Sequence, residues 1–372
     1  MDNLTHSLFG LTLARTPLSR AGRGTTAALL LASNAPDADV VVTLGGTANY
    51  LAFHRGPSHG PLGVIGLAAV VAGLVWLGNR RWKGTGADPD ASYLSLWLIS
   101  MLGVIGHIGL DLPTSYGTRP LSPFSWTWFT LDWMPIVDIY LLAIFGVTFW
   151  LARKAGAGPE GRLRRQQFAT IALVLMALNY GVRGLAHTRA LAQAPAAFDG
   201  RLPEWCAQGV RPGIGLDWWP RRTAAGERDL NAGRCLVELA AMPDFLSPFR
   251  WRLVAQLSNA YEVRDVDLIG GTGLSAQEPL PERVLPARVP NQWTPAVLKA
   301  ATAPTARVFL GFSRFPAARS TEQPDGSTLV QWSDLRFVQG DLDDPRQFRR
   351  GLFGATVLVG PDGAIREDRL GP

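Results

Sequence analysis

Cysteine and histidine are scarce in this chain, whose 372 residues contain two cysteines, Cys206 and Cys235, and five histidines. Two cysteines are too few for a cysteine-ligated metal site or a disulfide framework, so any metal ligands must be histidine, aspartate or glutamate. The sequence also lacks a Gly-x-Ser-x-Gly elbow and a His-Glu-x-x-His pair, the local signatures of many serine hydrolases and zinc peptidases. Its first residues lack the basic segment and cleavage site of a secretory signal peptide, so an uncleaved segment is expected to direct membrane insertion.

Charge is distributed unevenly along the chain. Residues 1–187 contain long uncharged apolar runs, whereas residues 188–372 are rich in arginine, aspartate, proline and scattered aromatics. We therefore predict two domains with this boundary, the first embedded in the membrane and helical, the second extracytoplasmic and β-rich. The basic residues of the first half lie in short loops between apolar runs, which is the pattern of a membrane protein and not of a nucleic-acid partner.

Four stretches approach the roughly 20 apolar residues that a helix needs to cross a bilayer. They are residues 61–78, 93–110, 134–152 and 168–187. Two shorter apolar pieces, Leu4–Ala14 and Thr25–Ala35, precede them and predict a helical hairpin that dips into the bilayer or packs on the bundle. The predicted fold class is an α-helical membrane bundle of about four spanning helices plus this hairpin, followed by the β-rich domain.

Basic residues predict the orientation of the bundle. Three groups are expected to face the cytoplasm, namely Arg15, Arg20 and Arg23, then Arg80, Arg81 and Lys83, and finally Arg153, Lys154, Arg162, Arg164 and Arg165. The start of the chain, residues 34–60, residues 107–133 and everything after residue 187 then lie on the opposite face. The chain is thus predicted to be a multi-pass bacterial inner-membrane protein whose second domain faces the periplasm or the cell exterior, where Cys206 and Cys235 can form a disulfide.

Short alternating or β-branched runs predict strands in the second half, because turn-forming Gly, Pro and Asp residues divide them. The runs are Trp251–Leu257, Arg307–Phe312, Thr328–Trp332 and Ala355–Val359. Within residues 357–368, Asp362 and Gly363 predict a hairpin turn between two short strands.

Eight histidine and aspartate residues are candidate metal ligands, because the topology brings them toward one membrane face. They are His6, Asp37, Asp39, His54, His59, His107, Asp111 and Asp138. Pro36 disfavours helix at the residue before it, so Asp37 and Asp39 are expected on an irregular turn where both aim at one point. His107 and Asp111 are four residues apart, on one helical face.

Asp138 is expected one turn inside the third span, where a carboxylate is costly and marks a functional site. Each residue also has a structural alternative. His6 suits an interfacial position, the two carboxylates after Pro36 suit a helix-ending turn, and His107 with Asp111 suits a side-chain hydrogen bond. The shared placement of the whole set favours a metal site over these separate explanations.

Imidazole and carboxylate ligands suit a divalent metal, with zinc the first choice, manganese and iron as alternatives, and two or more ions allowed by the number of carboxylates. Metal-activated water is the hydrolytic route that this residue set favours. Asp132 is the candidate to take the proton, and Arg55 or Arg119 to neutralise an anionic transition state. For either arginine, pairing with a lipid headgroup or a carboxylate is the structural alternative.

Taken together, several motifs resemble the membrane-bound metal-dependent hydrolases of the YdjM-like type over about residues 1–185. The motifs are Met1–Ser7, Asn34–Asp39, His54–His59, and Gly106–Asp111 followed by Thr114–Thr118, with Ser247–Arg252 resembling a segment of longer members. The resemblance implies a hydrolase that uses these histidines and aspartates as ligands. Ser58 departs from the family pattern, since threonine more often precedes the second histidine of its motif.

His107 and Asp111 form a His-x-x-x-Asp pair that is also similar to a ligand pair in zinc-dependent phospholipase C, which implies phosphoester hydrolysis. Membrane lipids, and a lipid or lipid-linked phosphate substrate, are then the expected partners. A metal-binding membrane protein without catalysis, acting as a regulator or docking partner, is the alternative. A transporter is disfavoured because the polar residues crowd one face without a trail through the bilayer. The oligomeric state is not predicted.

Overall fold

A computed structural model describes residues 1–82, 89–156, 158–210, 216–219, 235–269, 287–338 and 353–371. The chain divides into two compact units. The first unit comprises Met1–Val41 and Phe53–Gly184, and the second comprises Val42–Ala52 and Leu185–Pro372. The short segment Val42–Ala52 therefore groups with the second unit, which the sequence did not indicate.

The described N-terminal half is built from helices. The α-helices are α1 (Asn3–Leu13), α2 (Thr25–Ala32), α3 (Thr47–Phe53), α4 (Pro61–Arg81), α5 (Tyr93–Asp111), α6 (Ile139–Ala152), α7 (Gly158–Ala192) and the single turn α8 (Ala194–Ala197). Three 3-10 helices cover Pro17–Ala21, Ala35–Gly45 and Pro57–His59, and a short strand β1 covers Trp128–Thr130. The predicted hairpin corresponds to α1 and α2.

Among the described residues, the three helices α4, α5 and α7 are long and apolar enough to cross a membrane. The helix α2 and the 3-10 helix Ala35–Gly45 pass the same test as one broken span bent by 43°, which raises the number to four. Large apolar side chains on these helices are exposed, among them Leu74, Leu98 and Leu178. Exposed apolar helix faces of this kind suit contact with lipid rather than water.

The third predicted span, residues 134–152, is wrong in extent. Helix α6 begins at Ile139 because Asp138 caps it, its carboxylate accepting a hydrogen bond of 2.8 Å from the backbone N–H of Leu141. The 14 residues of α6 fall short of the roughly 20 that a crossing needs. The placement of Asp138 one turn inside a span is wrong for the same reason. Helix α7 is instead longer than predicted and includes part of the expected loop 153–167.

Small residues let α1 and α5 press against α2. A Cβ added at Gly103 of α5 would lie 2.8 Å from the Cβ of Ala32, and one added at Gly10 of α1 would lie 2.8 Å from the carbonyl oxygen of Leu29. Close helix approach of this kind is typical of membrane bundles. It brings the start of α1, with His6, beside the end of α5, with His107.

The second unit contains two sheets and two more short helices. Its remaining elements are β2 (Trp205–Val210), β3 (Asp217–Trp219), β4 (Leu236–Pro243), β5 (Arg250–Leu257), β6 (Ala260–Asp267), β7 (Ala287–Pro290), α9 (Pro295–Ala300), α10 (Pro304–Phe312), β8 (Pro316–Glu322), β9 (Thr328–Asp334), β10 (Gly354–Val359) and β11 (Ile365–Leu370). One sheet has the order β2-β4-β5-β6-β7, with β2 parallel to β4 and the other pairs antiparallel. The other is antiparallel, with the order β11-β10-β9-β8.

Alternate residues of the strands face different cores, as period-2 patterning requires. In β8, Ala317 packs with Val254 of β5 and Leu335, whereas Ala318 packs with Phe309 of α10 and Val357 of β10. The four-stranded sheet therefore lies between the five-stranded sheet and the helices α9 and α10. The strands predicted at 251–257, 328–332 and 355–359 are present in these sheets as β5, β9 and β10.

The strand predicted at Arg307–Phe312 is wrong, because the segment belongs to helix α10. Pro304 occupies its first turn, and Ala306, Phe309 and Phe312 are buried at three-residue intervals, which suits a helix and not a strand. The predicted turn at Asp362 and Gly363 is confirmed, with Gly363 at φ +75°.

Cys206 and Cys235 are joined by a disulfide, with their Cα atoms 5.0 Å apart. The bond links β2 to the residue before β4, within the five-stranded sheet. The pairing that the sequence allowed is therefore present.

Candidate metal centre

Four of the predicted ligands converge. One ligand atom from each of Asp37, His59, His107 and Asp111 lies within 4.8 Å of the others. Asp37 comes from the 3-10 helix Ala35–Gly45, His59 from the end of Pro57–His59, and the other two from the last turns of α5. All are buried apart from Asp37, whose side chain is 11% exposed. We call these four residues the metal cluster.

The proton on His107 is located by its hydrogen bond. Its Nδ1 lies 2.8 Å from the backbone carbonyl oxygen of Ser33. A carbonyl only accepts, so Nδ1 carries the hydrogen, and Nε2 of the neutral ring presents a lone pair. The other ring nitrogen therefore points a metal-binding atom into the cluster.

Two side-chain hydrogen bonds orient the ring of His59, so that its Nε2 also faces the metal cluster; we call this chain from Asp39 through Ser58 to His59 the relay. Its Nδ1 lies 2.9 Å from Oγ of Ser58, and this hydroxyl donates to a carboxylate oxygen of Asp39 at 2.6 Å. Since the hydroxyl proton goes to Asp39, the serine oxygen accepts from Nδ1 of His59, and Nε2 again presents a lone pair. Carboxylates that orient metal-ligating histidines in this way are a regular feature of metal sites.

The two Nε2 atoms lie 3.2 Å apart, and both are close to Oδ2 of Asp111, at 3.2 Å from His59 and 3.3 Å from His107. Lone pairs and a carboxylate oxygen thus face one another with no proton between them. Burial, and then the electrostatic effect of His107, lower the pKa of His59 well below its ordinary value. Protonation of His59 therefore does not remove the repulsion between these atoms. A divalent cation satisfies all of these atoms at once, so the residues present fit a metal.

The second oxygen of Asp111 faces Arg55, whose Nη2 lies 3.0 Å from Oδ1. Arg55 also donates to Oγ1 of Thr114 at 3.2 Å and to the carbonyl oxygen of Gly117 at 3.1 Å. Its backbone is in the left-handed region at φ +54°, and its N–H donates to Asp39 at 2.9 Å. These hydrogen bonds hold Arg55 in an unfavourable backbone conformation and place its buried guanidinium beside the metal cluster.

His6 lies against the cluster without being one of the four. Its ring stacks on His107 at a centroid distance of 3.8 Å, and its Nε2 is 3.4 Å from Oδ1 of Asp111. Within the described residues neither ring nitrogen of His6 has a hydrogen-bond partner. The α-amino group of Met1 also contacts Oδ1 of Asp111.

The expectation that Asp37 and Asp39 aim at one point from an irregular turn is wrong. Both lie in a 3-10 helix, which turns by about 120° per residue, so positions two apart face different ways. Asp37 points toward Nε2 of His107 at 3.5 Å, whereas Asp39 bonds Nδ1 of His54 at 2.7 Å. His54 is thereby held beside Asp39, and neither belongs to the group of four.

Asp138 is engaged elsewhere. Besides capping α6, it forms a buried ion pair with Arg183, whose Nη2 lies 2.7 Å from Oδ2, and Asn179 approaches its other oxygen at 3.3 Å. The pair joins α6 to α7, so the cost of this buried carboxylate is offset by a helix-to-helix contact rather than by the metal cluster.

Asp132 and Arg119 lie in the segment between α5 and α6. Asp132 is fully buried at φ +57°, and Thr130 contacts Oδ1 at 3.2 Å. Arg119 donates to the carbonyl oxygen of His54 at 2.8 Å and lies over the ring of Trp128 at 4.2 Å, and burial lowers its pKa to about 10. The described contacts of Arg119 thus support the loop that carries His54 and Arg55.

Sequence reasoning missed three contributors to this region. Ser58 was noted only as a departure from a family pattern, although its place directly before His59 was the available signal. Arg183 lies near the end of the apolar stretch 168–187 and was not recognised as the partner of Asp138. Ser33 acts through its carbonyl, which no side-chain pattern reveals.

The helices and the buried histidine-aspartate cluster define a multi-helix membrane protein with a candidate metal site. The model of the YdjM inner membrane protein family matches residues 1–190, and the chain belongs to this family of inner-membrane proteins. It is 28% identical over 162 residues to the uncharacterized protein YfhP of Bacillus subtilis (strain 168), a match covering 41% of this chain and 47% of that protein. The chain thus spans less than half the length of this curated relative. No solved structure matches.

Proposed function

We propose that this protein is a metal-dependent hydrolase, and specifically a phosphoesterase that acts on a lipid or lipid-linked phosphate of the cell envelope. The observation that supports the proposal most is the pair of Nε2 lone pairs of His59 and His107, 3.2 Å apart and facing Asp111. Burying lone pairs and a carboxylate that face one another costs free energy, and a bound cation removes that cost. A catalytic role for the cation explains why the protein has such a site.

Two imidazoles and two carboxylates suit zinc first, with manganese and iron as alternatives. When bound, such a cation supplies Lewis acidity and lowers the pKa of water enough to give a nucleophile at neutral pH. The chain itself supplies orientation. Ser33 and Ser58 fix which nitrogen of each histidine faces the cation. Asp37 is the partly exposed ligand, and we propose that a substrate approaches the site from its side.

An anionic substrate is favoured by Arg55. Its guanidinium lies 3.0 Å from Asp111, inside the protein, where a positive charge interacts strongly with a phosphoryl group. Asp132 is the proposed proton acceptor. The backbone N–H of Leu131 donates to the carbonyl oxygen of Leu112, and this bond holds the segment that carries Asp132 beside the end of α5, where Asp111 lies.

We further propose that the metal cluster and the second unit face the periplasm or the cell exterior. The Cys206–Cys235 disulfide supports this placement, since such bonds persist in oxidising compartments. The basic residues at the end of α4 and after α6 support it as well, because basic loops stay in the cytoplasm. On that face, envelope lipids are the accessible phosphoesters.

The alternative function is a metal-binding membrane protein without catalysis, acting as a regulator or a docking partner. It is favoured by the number of ligands, because four protein ligands in one buried group can close the coordination shell of zinc, as in structural sites.

Detergent-purified protein loaded with zinc, manganese or iron distinguishes the two. We would measure bound metal together with hydrolysis of a chromogenic phosphodiester, a phospholipid and a polyprenyl phosphate. A catalytic site predicts metal-dependent turnover that Arg55→Gln lowers by about 100-fold, as for the loss of one charge-stabilising group, while Arg81→Gln leaves it unchanged. Full metal occupancy without turnover on any of the three substrates would overturn the hydrolase and favour the docking role.

A further inference from the structure

A second polar site lies in the first unit, far from the metal cluster. A cavity of about 420 Å³ is lined by Arg15, Arg20, Arg162 and Arg165, together with Ser19 and Pro89. We propose that these four arginines bind a phosphate-bearing anion, and that its source is the phosphodiester headgroup of an anionic membrane lipid. This inference does not depend on the proposed hydrolase activity.

The arginines of the cavity carry charge that no carboxylate among the described residues pairs with. Within the described part of the chain, none of the four arginines forms an ion pair with a carboxylate, whereas their neighbour Arg23 pairs with Asp90 at 2.5 Å. Burial, and then the charge of Arg165, lowers the pKa of Arg15, so these two guanidiniums lie close enough to repel each other. An anion between them removes that repulsion and accepts several charge-assisted hydrogen bonds.

Two of the arginines are held in place before any ligand arrives. The guanidinium of Arg15 lies 3.7 Å from the centroid of the Phe149 ring, and Nη1 of Arg165 donates to the carbonyl oxygen of Gly156 at 2.8 Å. Side chains fixed in this way lose little freedom on binding, which favours a specific site over a diffuse basic surface.

The cavity lies at the opposite end of a spanning helix from the metal cluster. Pro89 lies shortly before α5, and Asp111 is its last residue. A helix of 19 residues is about 28 Å long, at ~1.5 Å per residue. The cavity therefore lies near the other membrane interface, where the basic residues predict the cytoplasm and where anionic headgroups meet basic pockets between helices.

An adjoining cleft favours a lipid over a soluble anion. The cleft has a volume of only about 10 Å³. Besides Thr12 and Thr148, it is lined by the partly exposed rings of Phe149 of α6 and Phe168 of α7, and it shares Arg15 and Arg165 with the cavity. A lipid can place its phosphate against the arginines while the start of an acyl chain lies over these partly exposed rings, without entering the cleft. Free phosphate would use only the polar part.

Native mass spectrometry of the full-length protein in neutral detergent tests the proposal. The probes are phosphatidylglycerol, phosphatidylethanolamine and inorganic phosphate. The variant Arg162→Gln/Arg165→Gln removes two charges from the cavity, and Arg81→Gln/Arg164→Gln removes two exposed charges outside it. We expect phosphatidylglycerol to bind about tenfold more tightly than phosphatidylethanolamine, and this preference to vanish in the cavity variant only.

The midpoint of thermal unfolding in the same detergent reports whether each variant is folded, independently of any bound metal. If the midpoint of the double variant falls, Arg20→Glu compared with Arg81→Glu replaces it, because both side chains are exposed. An equal loss of preference in cavity and control variants would overturn the proposal. Competition by inorganic phosphate at similar concentration would keep the anion site and refute the lipid as its source.

Discussion

The Nε2 atoms of His59 and His107 lie 3.2 Å apart, and the hydrogen bonds on the far side of each ring leave both without a proton. Two lone pairs at this distance, beside the carboxylate of Asp111, repel one another in a buried setting. A cation turns that repulsion into coordination. The relationship explains why Ser58 and Ser33, which cannot reach the cluster centre, matter to it.

The relay from Asp39 through Ser58 to His59 predicts a graded effect on metal affinity. Ser58→Ala removes the hydroxyl that orients the ring, so the affinity for zinc should fall by about 10- to 100-fold. Ser58→Thr keeps a hydroxyl at the same position and should bind zinc nearly as the natural protein does. Competition with a chromogenic chelator measures both. Equal affinities for the alanine and threonine variants would show that the relay has no role.

The ion pair between Asp138 and Arg183 predicts a loss of stability without a loss of metal. Asp138→Asn leaves a buried guanidinium without its counter-charge, at a cost of about 3–5 kcal/mol. We expect a lower midpoint of thermal unfolding and unchanged metal content. Asp138→Asn combined with Arg183→Gln should recover part of the lost stability, because the uncompensated charge is gone. Metal loss at an unchanged midpoint would instead make Asp138 a ligand.

The disulfide predicts protected thiols. Cys206 and Cys235 should resist a maleimide reagent in denatured but unreduced protein and both react after reduction. Reduction should destabilise the second unit by roughly 2–4 kcal/mol, since the bond closes a loop of 29 residues. Two thiols that react before reduction would contradict the pairing.

Much of the fold follows from simple patterns, and the errors have physical causes. Apolar length alone located α4 and α5, because a bilayer requires it. Residues 307–312 are six residues long, too short for periodicity to separate a strand from a helix turn, and burial against the four-stranded sheet decided for the helix. At α6 an apolar run continued through Asp138, but the helix starts where a side chain can cap its first turn.

The candidate site was predictable in composition but not in detail. Histidines and aspartates at the ends of apolar segments were visible, and four of them converge. The different roles of Asp37 and Asp39 depend on the 3-10 geometry of their segment, which Pro36 does not specify. Likewise, Arg55 was recognised as a nearby cation, but its left-handed backbone and its bonds to Thr114 and Gly117 arise only from the tertiary structure.

The orientation in the membrane is open to a direct test. Basic loops predict that residues 79–92 and 153–167 face the cytoplasm and that residues 188–372 do not. An alkaline phosphatase fusion near residue 200 should be active, and a fusion in the loop 79–92 should not. A fluorescent cytoplasmic reporter should give the opposite pattern. An inactive phosphatase near residue 200, with a fluorescent reporter at the same point, would reverse the topology.

Metal content, determined by mass spectrometry of the purified protein, tests the central claim most directly. The natural protein, purified from cells grown with zinc, manganese and iron, should retain a divalent metal after dialysis. The variants His59→Ala and His107→Ala should retain only background amounts. His187→Ala is the control, because His187 lies in the second unit against Trp251 and should retain the metal. Natural protein without bound metal, or full metal content in His59→Ala, would contradict the account.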